Sequence, residues 1–192
     1  MPYRLKSNDI DYLSLVYDDE EVIEKLGEEN LIQIECDPRE YAPIWQKLSV
    51  RFEPGLGGKS DKPIPDLQVH SGHLFLSEKA LKSLKGIIEP HGELLPVMYS
   101  SENEASKEGA IFNPLKVVSA NEKISTKDSF GEVASLFFDT EEVIFKTDFD
   151  DYFGVYCSKE FRQLVSEADL SGLVLSKDLS SDFTSNKTAL HQ

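Results

Sequence analysis

The chain has 192 residues, of which 35 are acidic and 20 are Lys or Arg, so its formal net charge is −15 at pH 7. Hydrophobic residues make up 40% and charged residues 29% of the sequence, which predicts a folded globular protein rather than a disordered chain. Such an acidic surface repels the phosphates of nucleic acids and of anionic membranes, so we expect neither as a partner. It favours a basic protein partner, because charges of opposite sign speed the encounter.

Targeting signals and cysteines predict the compartment. The N-terminus lacks the apolar core of a signal peptide, and no run approaches the roughly 18 apolar residues of a membrane span. The two cysteines, Cys36 and Cys157, both lie in apolar, strand-like runs and fit a reducing compartment. We therefore expect a cytoplasmic protein with two buried, inert thiols.

The N-terminal third predicts a mixture of strands and short helices. Residues 13–17 form a strand, and Asp18 then caps a short helix that ends at Gly27. Residues 31–36 alternate in part and predict another strand. A helix start at residues 37–40, with apolar residues on one face up to residue 48, predicts a turn feeding a short or kinked helix, because Pro43 breaks a straight one.

The remainder predicts an α+β domain. Residues 54–66 contain three prolines and three glycines, which indicates a loop and a domain boundary. Beyond it, two strands run directly into helices capped by Ser77 and Ser158. These two units predict an α+β fold, mainly antiparallel sheet with a few flanking helices. Further strands are expected at residues 93–99, 110–112, 115–118, 133–138, 143–146 and 173–175.

Motifs for catalysis or cofactor binding are incomplete. Gly58, Lys59 and Ser60 resemble the end of a phosphate-binding loop, but no helix follows them. His70 and His73 have no third ligand nearby, and the acidic run at 148–151 lacks the glycine and glutamate of a calcium loop. We therefore predict no catalytic residues, no metal and no cofactor.

Charge patterning is the remaining signal. A first acidic run, residues 18–21, follows the strand at 13–17, and a second run, residues 139–151, carries six acids and one lysine interleaved with aromatic residues. Carboxylates around aromatic side chains suit a docking patch for a basic protein, although a solvated surface is the alternative. The candidate partner-binding residues are Asp139, Glu141, Glu142, Asp148, Phe149, Asp150, Asp151 and Tyr152, with Asp18, Asp19 and Glu20 from the first run.

Several short segments between residues 65 and 173 follow one another in an order that is typical of one protein family. They are the serine-capped units at 76–81 and 155–161, a strand at 92–97 that ends in Pro-Val, and shorter pieces at 65–66, 111–113, 117–120, 143–145 and 170–173. Taken in chain order, these segments resemble family eleven of the bacterial immunity proteins, which belong to polymorphic-toxin and contact-dependent competition loci. The resemblance implies an α+β domain over residues 61–179 that neutralises a cognate toxin by binding and has no catalytic residues. Residues 1–60 would be a variable N-terminal region packed on this domain, and residues 180–192 a flexible tail.

The resemblance and the charge together give one functional expectation. We expect a cytoplasmic immunity protein whose acidic face occupies the basic surface that a toxin domain, such as a nuclease, uses for its substrate. A small enzyme with an unrecognised carboxylate site and a generic acidic adaptor are the alternatives. A deep pocket with converging Asp or Glu side chains would favour the enzyme.

Overall fold

The computed structural model of the chain describes residues 1–55 and 58–180. Its three α-helices are α1 (Asp19–Leu26), α2 (Glu78–Ile88) and α3 (Lys159–Glu167). Its strands are β1 (Tyr3–Ser7), β2 (Ser14–Tyr17), β3 (Leu48–Glu53), β4 (Leu67–His70), β5 (His73–Leu76), β6 (Gly92–Ser101), β7 (Lys107–Pro114), β8 (Thr126–Lys127), β9 (Val133–Ser135), β10 (Ile144–Phe145), β11 (Tyr156–Cys157) and β12 (Leu173–Ser176). All pairings between these strands are antiparallel except that of β3 with β6, so the predicted α+β class is confirmed. No helix in the described part is long and apolar enough to span a membrane.

The larger sheet has the order β2-β3-β6-β7-β5-β4, and its two edge strands meet. Gln68 on β4 makes this contact: its Nε2 donates to the carbonyl oxygen of Leu13, 3.0 Å away, and its Oε1 accepts from the amide of Leu15 on β2. The sheet therefore curls around a first core, which holds side chains such as Phe52 and Phe75.

The smaller sheet has the order β10-β11-β1-β12 and places the N-terminal strand in its interior. Ser7 at the end of β1 also links it to β4, because its hydroxyl donates to the carbonyl of Val69 and accepts from the Val69 amide. The region 1–60 thus contributes β1 to one sheet and β2 and β3 to the other. The helices α2 and α3 pack on a second core, to which both sheets contribute side chains and where Leu84 and Phe161 are fully buried.

The helix starts follow the sequence prediction. The side chains of Asp18, Ser77 and Ser158 each accept a hydrogen bond from the backbone amide three residues ahead. These caps satisfy amides that the first helical turn leaves without partners. Both predicted strand-to-serine-capped-helix units are therefore present.

One predicted element in the N-terminal part, the strand at 31–36, is wrong, whereas the short helix expected after residue 37 is present as a single 3-10 turn. Residues 31–36 form turns instead of a strand, and the 3-10 turn covers Ala42–Ile44. In both places distant side chains bind the backbone: Lys146 donates to the carbonyl of Cys36, and the carboxylate of Glu93 accepts from the amides of Tyr41 and Ala42. Cys36 consequently lies in a loop, whereas Cys157 lies in β11 as predicted.

Other predicted elements are shorter than expected. The strand expected at 133–138 ends at residue 135, the one at 143–146 covers only 144–145, and 115–118 makes a single bridge, between Val117 and Lys146. The loop at 54–66 is present as predicted in its described residues. Of the expected tail, residues 181–192 lie outside the described part, while Ser180 is buried and its carbonyl accepts a hydrogen bond from Arg4.

Candidate functional site

The predicted acidic patch lies in residues 117–153, a segment that packs on a small third core and that we call the 117–153 lobe. The hairpin of β8 and β9 covers a small third core beside β10 and β11, formed by Val133, Leu136, Phe145, Tyr156 and Leu179. Its aromatic rings are in direct contact, with the Phe145 and Tyr156 ring centroids 5.7 Å apart. The lobe therefore has its own packed base.

A tight loop follows β10 and carries the densest run of acids. Thr147 caps a 3-10 turn, Asp148–Asp150, by accepting from the amide of Phe149. Asp151 and Tyr152 then adopt left-handed backbone angles, with φ of 56° and 63°. Two consecutive non-glycine residues in this region are uncommon and indicate a loop whose shape the surrounding contacts impose.

Asp150 points into the loop instead of toward solvent. Its Oδ2 accepts hydrogen bonds from the Tyr156 hydroxyl at 2.7 Å and from the Gly154 amide at 2.9 Å. Its Oδ1 is buried and has no hydrogen-bond partner among the described residues. Burial raises the pKa of Asp150, although these two bonds oppose the rise. A Cβ at position 154 would lie 2.4 Å from Oδ2, so this approach requires glycine.

Lys146 is a buried cation at the junction of the acidic loop, the loop around Cys36 and the β4–β5 turn. Its Nζ donates to the carbonyl of Cys36 at 2.9 Å, and a Cβ added to Gly72 would lie 3.2 Å from the same Nζ. That Cβ would also lie 2.8 Å from the carbonyl oxygen of Tyr152. The backbone of the β4–β5 turn therefore lies in close contact with the acidic loop. Burial lowers the pKa of Lys146 to about 8, and Asp150 is among the groups that oppose the change.

A cleft of about 320 Å³ separates this loop from the β8–β9 hairpin. Its lining contains three carboxylates and two cations, and it consists of Arg4, Cys36, Lys127, Gly131, Glu132, Val133, Asp150, Asp151 and Phe153. Both cations already have partners: Arg4 donates to the carbonyl of Ser180, and Lys127 Nζ lies 5.4 Å from the centre of the Phe149 ring. We refer to this feature as the acidic cleft.

The second predicted cluster divides into three groups. Asp139, Glu141, Asp148 and Asp151 are exposed, and Phe149 and Tyr152 are half-buried. Glu142 forms an ion pair with Lys116 at 2.8 Å, which lowers its pKa, and its other carboxylate oxygen lies 3.3 Å from His91 Nδ1. Asp150 is internal, so only part of the predicted cluster is available to a partner.

The first predicted cluster lies elsewhere. Asp18 caps α1, Asp19 accepts from Gln33 Nε2 at 3.0 Å, and Glu20 is exposed in the first helical turn. The buried face of α1 packs on the first core, whereas the acidic loop packs beside the third. The structure therefore assigns Asp18 a local capping role.

The sequence-based candidates do not include the three exposed aromatic residues of this lobe. Phe130 at the hairpin tip is 77% exposed and Phe137 is 44% exposed, and Phe153 at the cleft is 56% exposed. These three are the exposed phenylalanines of the described residues, and all lie between residues 117 and 153. For Phe130 a signal existed, since it stands between Ser129 and Gly131 in a polar turn where a core residue is not expected.

The fold and this site define an α+β protein with an acidic, aromatic lobe built around a cleft. No family model matches the chain, and the comparison with curated proteins gives no match either.

Proposed function

We propose that the chain is a cytoplasmic immunity protein that binds and neutralises a basic toxin domain through the 117–153 lobe. The observation that carries this proposal is the coincidence of exposed Phe130, Phe137 and Phe153 with the acidic loop. A group of exposed aromatic side chains within one segment is a candidate binding surface, because aromatic residues, including Phe, are enriched at the cores of protein interfaces. The resemblance to immunity family eleven supports the same class, and two free cysteines fit a reducing compartment.

Electrostatics support a basic partner. The lobe carries nine acids and three lysines, and one of those lysines is the buried Lys146. Exposed acids such as Asp148 and Asp151 would accelerate association with a positively charged surface, and this effect is screened over about 8 Å at physiological salt. We therefore expect an association rate that falls steeply as salt is raised.

The loop is also held in one shape before any partner arrives. The internal bonds of Asp150 and the contacts around Lys146 fix the backbone that presents the neighbouring acids. A pre-organised loop loses less conformational entropy on binding, which favours affinity.

Co-expression with the toxic product of a neighbouring gene tests the proposal. The wild-type chain should rescue growth and co-purify with the toxin domain. The double variant Asp148→Lys/Asp151→Lys should protect poorly, because like charges across an interface cost several kcal/mol. Asp150 is left unchanged, since its carboxylate holds the loop. The matched control is Glu24→Lys/Glu28→Lys, which makes the same charge change on exposed residues at α1.

Thermal melting of both double variants separates binding from folding. All four acids are exposed, so both variants should melt within a few degrees of the parent. Full protection by the Asp148→Lys/Asp151→Lys variant would exclude the lobe as the toxin-binding surface. Residues 1–60 would then be the next candidate for that surface.

The acidic cleft supports a second candidate, a small enzyme. A carboxyl group with a raised pKa in a cleft, close to another carboxylate and to Arg4, is an arrangement used in acid–base catalysis. Stoichiometry distinguishes the candidates. A binding inhibitor neutralises toxin only at a ratio near one to one, whereas an enzyme that modifies the toxin would inactivate an excess of it.

A further inference from the structure

We propose that the acidic cleft receives an arginine side chain of the basic partner, with the guanidinium placed between Asp150 Oδ1 and Asp151. This inference rests on the proposed function and deepens it. It identifies the chemical group that the lobe recognises, and it divides the site into a specific pocket and a surrounding charged surface.

The buried oxygen of Asp150 is the starting point. Oδ2 has two donors, whereas Oδ1 has none among the described residues, although it is removed from solvent. Buried polar atoms in folded proteins nearly always have a partner, because an unpartnered one costs about 1–3 kcal/mol. A donor supplied from outside would remove this cost, and Asp150 is one of the residues that line the cleft.

The charges of the lining select a cation. The carboxylates of Glu132, Asp150 and Asp151 outnumber the two cations. The Arg4 guanidinium already donates to Ser180, and Lys127 lies over the ring of Phe149. The lining therefore keeps one net negative charge, which favours an incoming cation over an incoming anion, although the Arg4 guanidinium already acts on Asp150 and opposes the rise in its pKa.

Shape and chemistry then favour arginine over lysine. Guanidinium is planar and carries five donors, so it can bond two neighbouring carboxylates at once, which a single ammonium does less well. Phe153 offers an exposed aromatic face at the cleft on which a guanidinium can stack. The volume of about 320 Å³ is at the lower end of the range for small-molecule pockets, which suits one long side chain.

The first test needs no toxin. Ethylguanidinium, which mimics the end of an arginine side chain, is titrated into the full chain while backbone amide resonances are recorded by NMR. Saturable shifts are expected at Gly131, which lines the cleft, and at Gly154, whose amide donates to Asp150. Ethylurea has a similar shape without the charge and should cause no saturable shift. Inorganic phosphate serves as the anionic probe, and saturable shifts with phosphate but not with ethylguanidinium would overturn the inference.

Two variants locate the site. Asp150→Asn should weaken ethylguanidinium binding about tenfold or more, as expected when a charge-assisted hydrogen bond is lost. Asp150→Asn also alters the hydrogen bonds that hold the loop. Asp151→Asn therefore provides a second variant, at an exposed position, and it should weaken ethylguanidinium binding as well. Asp148→Asn, which lies outside the cleft lining, is the matched control and should bind as the parent does. Equal binding by the parent and by Asp151→Asn would overturn the inference.

The outcomes for the two proposals are separable. Toxin neutralisation without ethylguanidinium binding would reject the arginine pocket and leave the immunity function standing. Ethylguanidinium binding by a chain that neutralises no toxin would support the pocket and reject the immunity function.

Discussion

Replacing Gln68 with alanine should open the junction between β2 and β4. The side chain is 3% exposed and connects the two edges of the larger sheet by bonds to the backbone of Leu13 and Leu15. Alanine would leave one buried carbonyl and one buried amide without partners, each costing about 1–3 kcal/mol. We therefore expect the free energy of unfolding to fall by about 2–5 kcal/mol.

Urea denaturation measures this change, and hydrogen exchange locates it. The amide of Leu15 should lose protection selectively, because its acceptor is the removed side chain. Gln46→Ala is the matched control: it removes the same side chain from an exposed position, so its stability should stay within about 0.5 kcal/mol of the parent.

One result would refute the reasoning. If Gln68→Ala loses less than about 1 kcal/mol and the Leu15 amide stays protected, the bond from this side chain does not hold the edges together. The amide of Leu13 donates to the carbonyl of Pro63, and contacts of that kind would then have to explain the closure.

Two further predictions concern the second core and a buried histidine. Phe161→Ala and Leu84→Ala should each lower the free energy of unfolding by about 2–5 kcal/mol, since both side chains are fully buried, and a melting curve like that of the parent would contradict this. His73 is 1% exposed, and burial lowers its pKa well below 6.5, so below about pH 6.5 the unfolded state binds a proton that the native state does not. Stability should therefore fall on acidification, by up to about 1.4 kcal/mol per pH unit from this group, and His73→Leu should show a shallower fall in urea denaturation at pH 7.5 and 5.5. An unchanged pH dependence in the variant would exclude His73 as the cause.

The helix starts could be read from the sequence because capping is local. Asp18, Ser77 and Ser158 each bond an amide only three residues away, so the pattern is complete within one turn. The two serine-capped units were predicted on this basis together with the apolar faces of α2 and α3, and the α+β class followed from them.

The segment at 31–36 was misread because its apolar pattern suits a strand but its partners are remote. A strand needs a neighbouring backbone, and here the carbonyls of Gln33 and Cys36 are bound by side chains from residues 70, 71 and 146. Ile32 is buried and Ile34 is exposed, so alternation in burial survives without any strand pairing.

In the candidate site, too, the local charge could be predicted from the sequence, whereas the burial of individual side chains could not. The order of residues alone places a strong negative charge at 139–151, because the charge of these side chains can be counted without knowing what packs against them. The sequence did not show that Asp150 points into the loop, that Lys146 is buried, or that Phe130 is exposed at a hairpin tip. These three features are seen only in the tertiary structure. Each of these outcomes depends on atoms far away in the chain, since whether a side chain is buried is decided by what packs against it, and one-dimensional spacing carries no record of that packing.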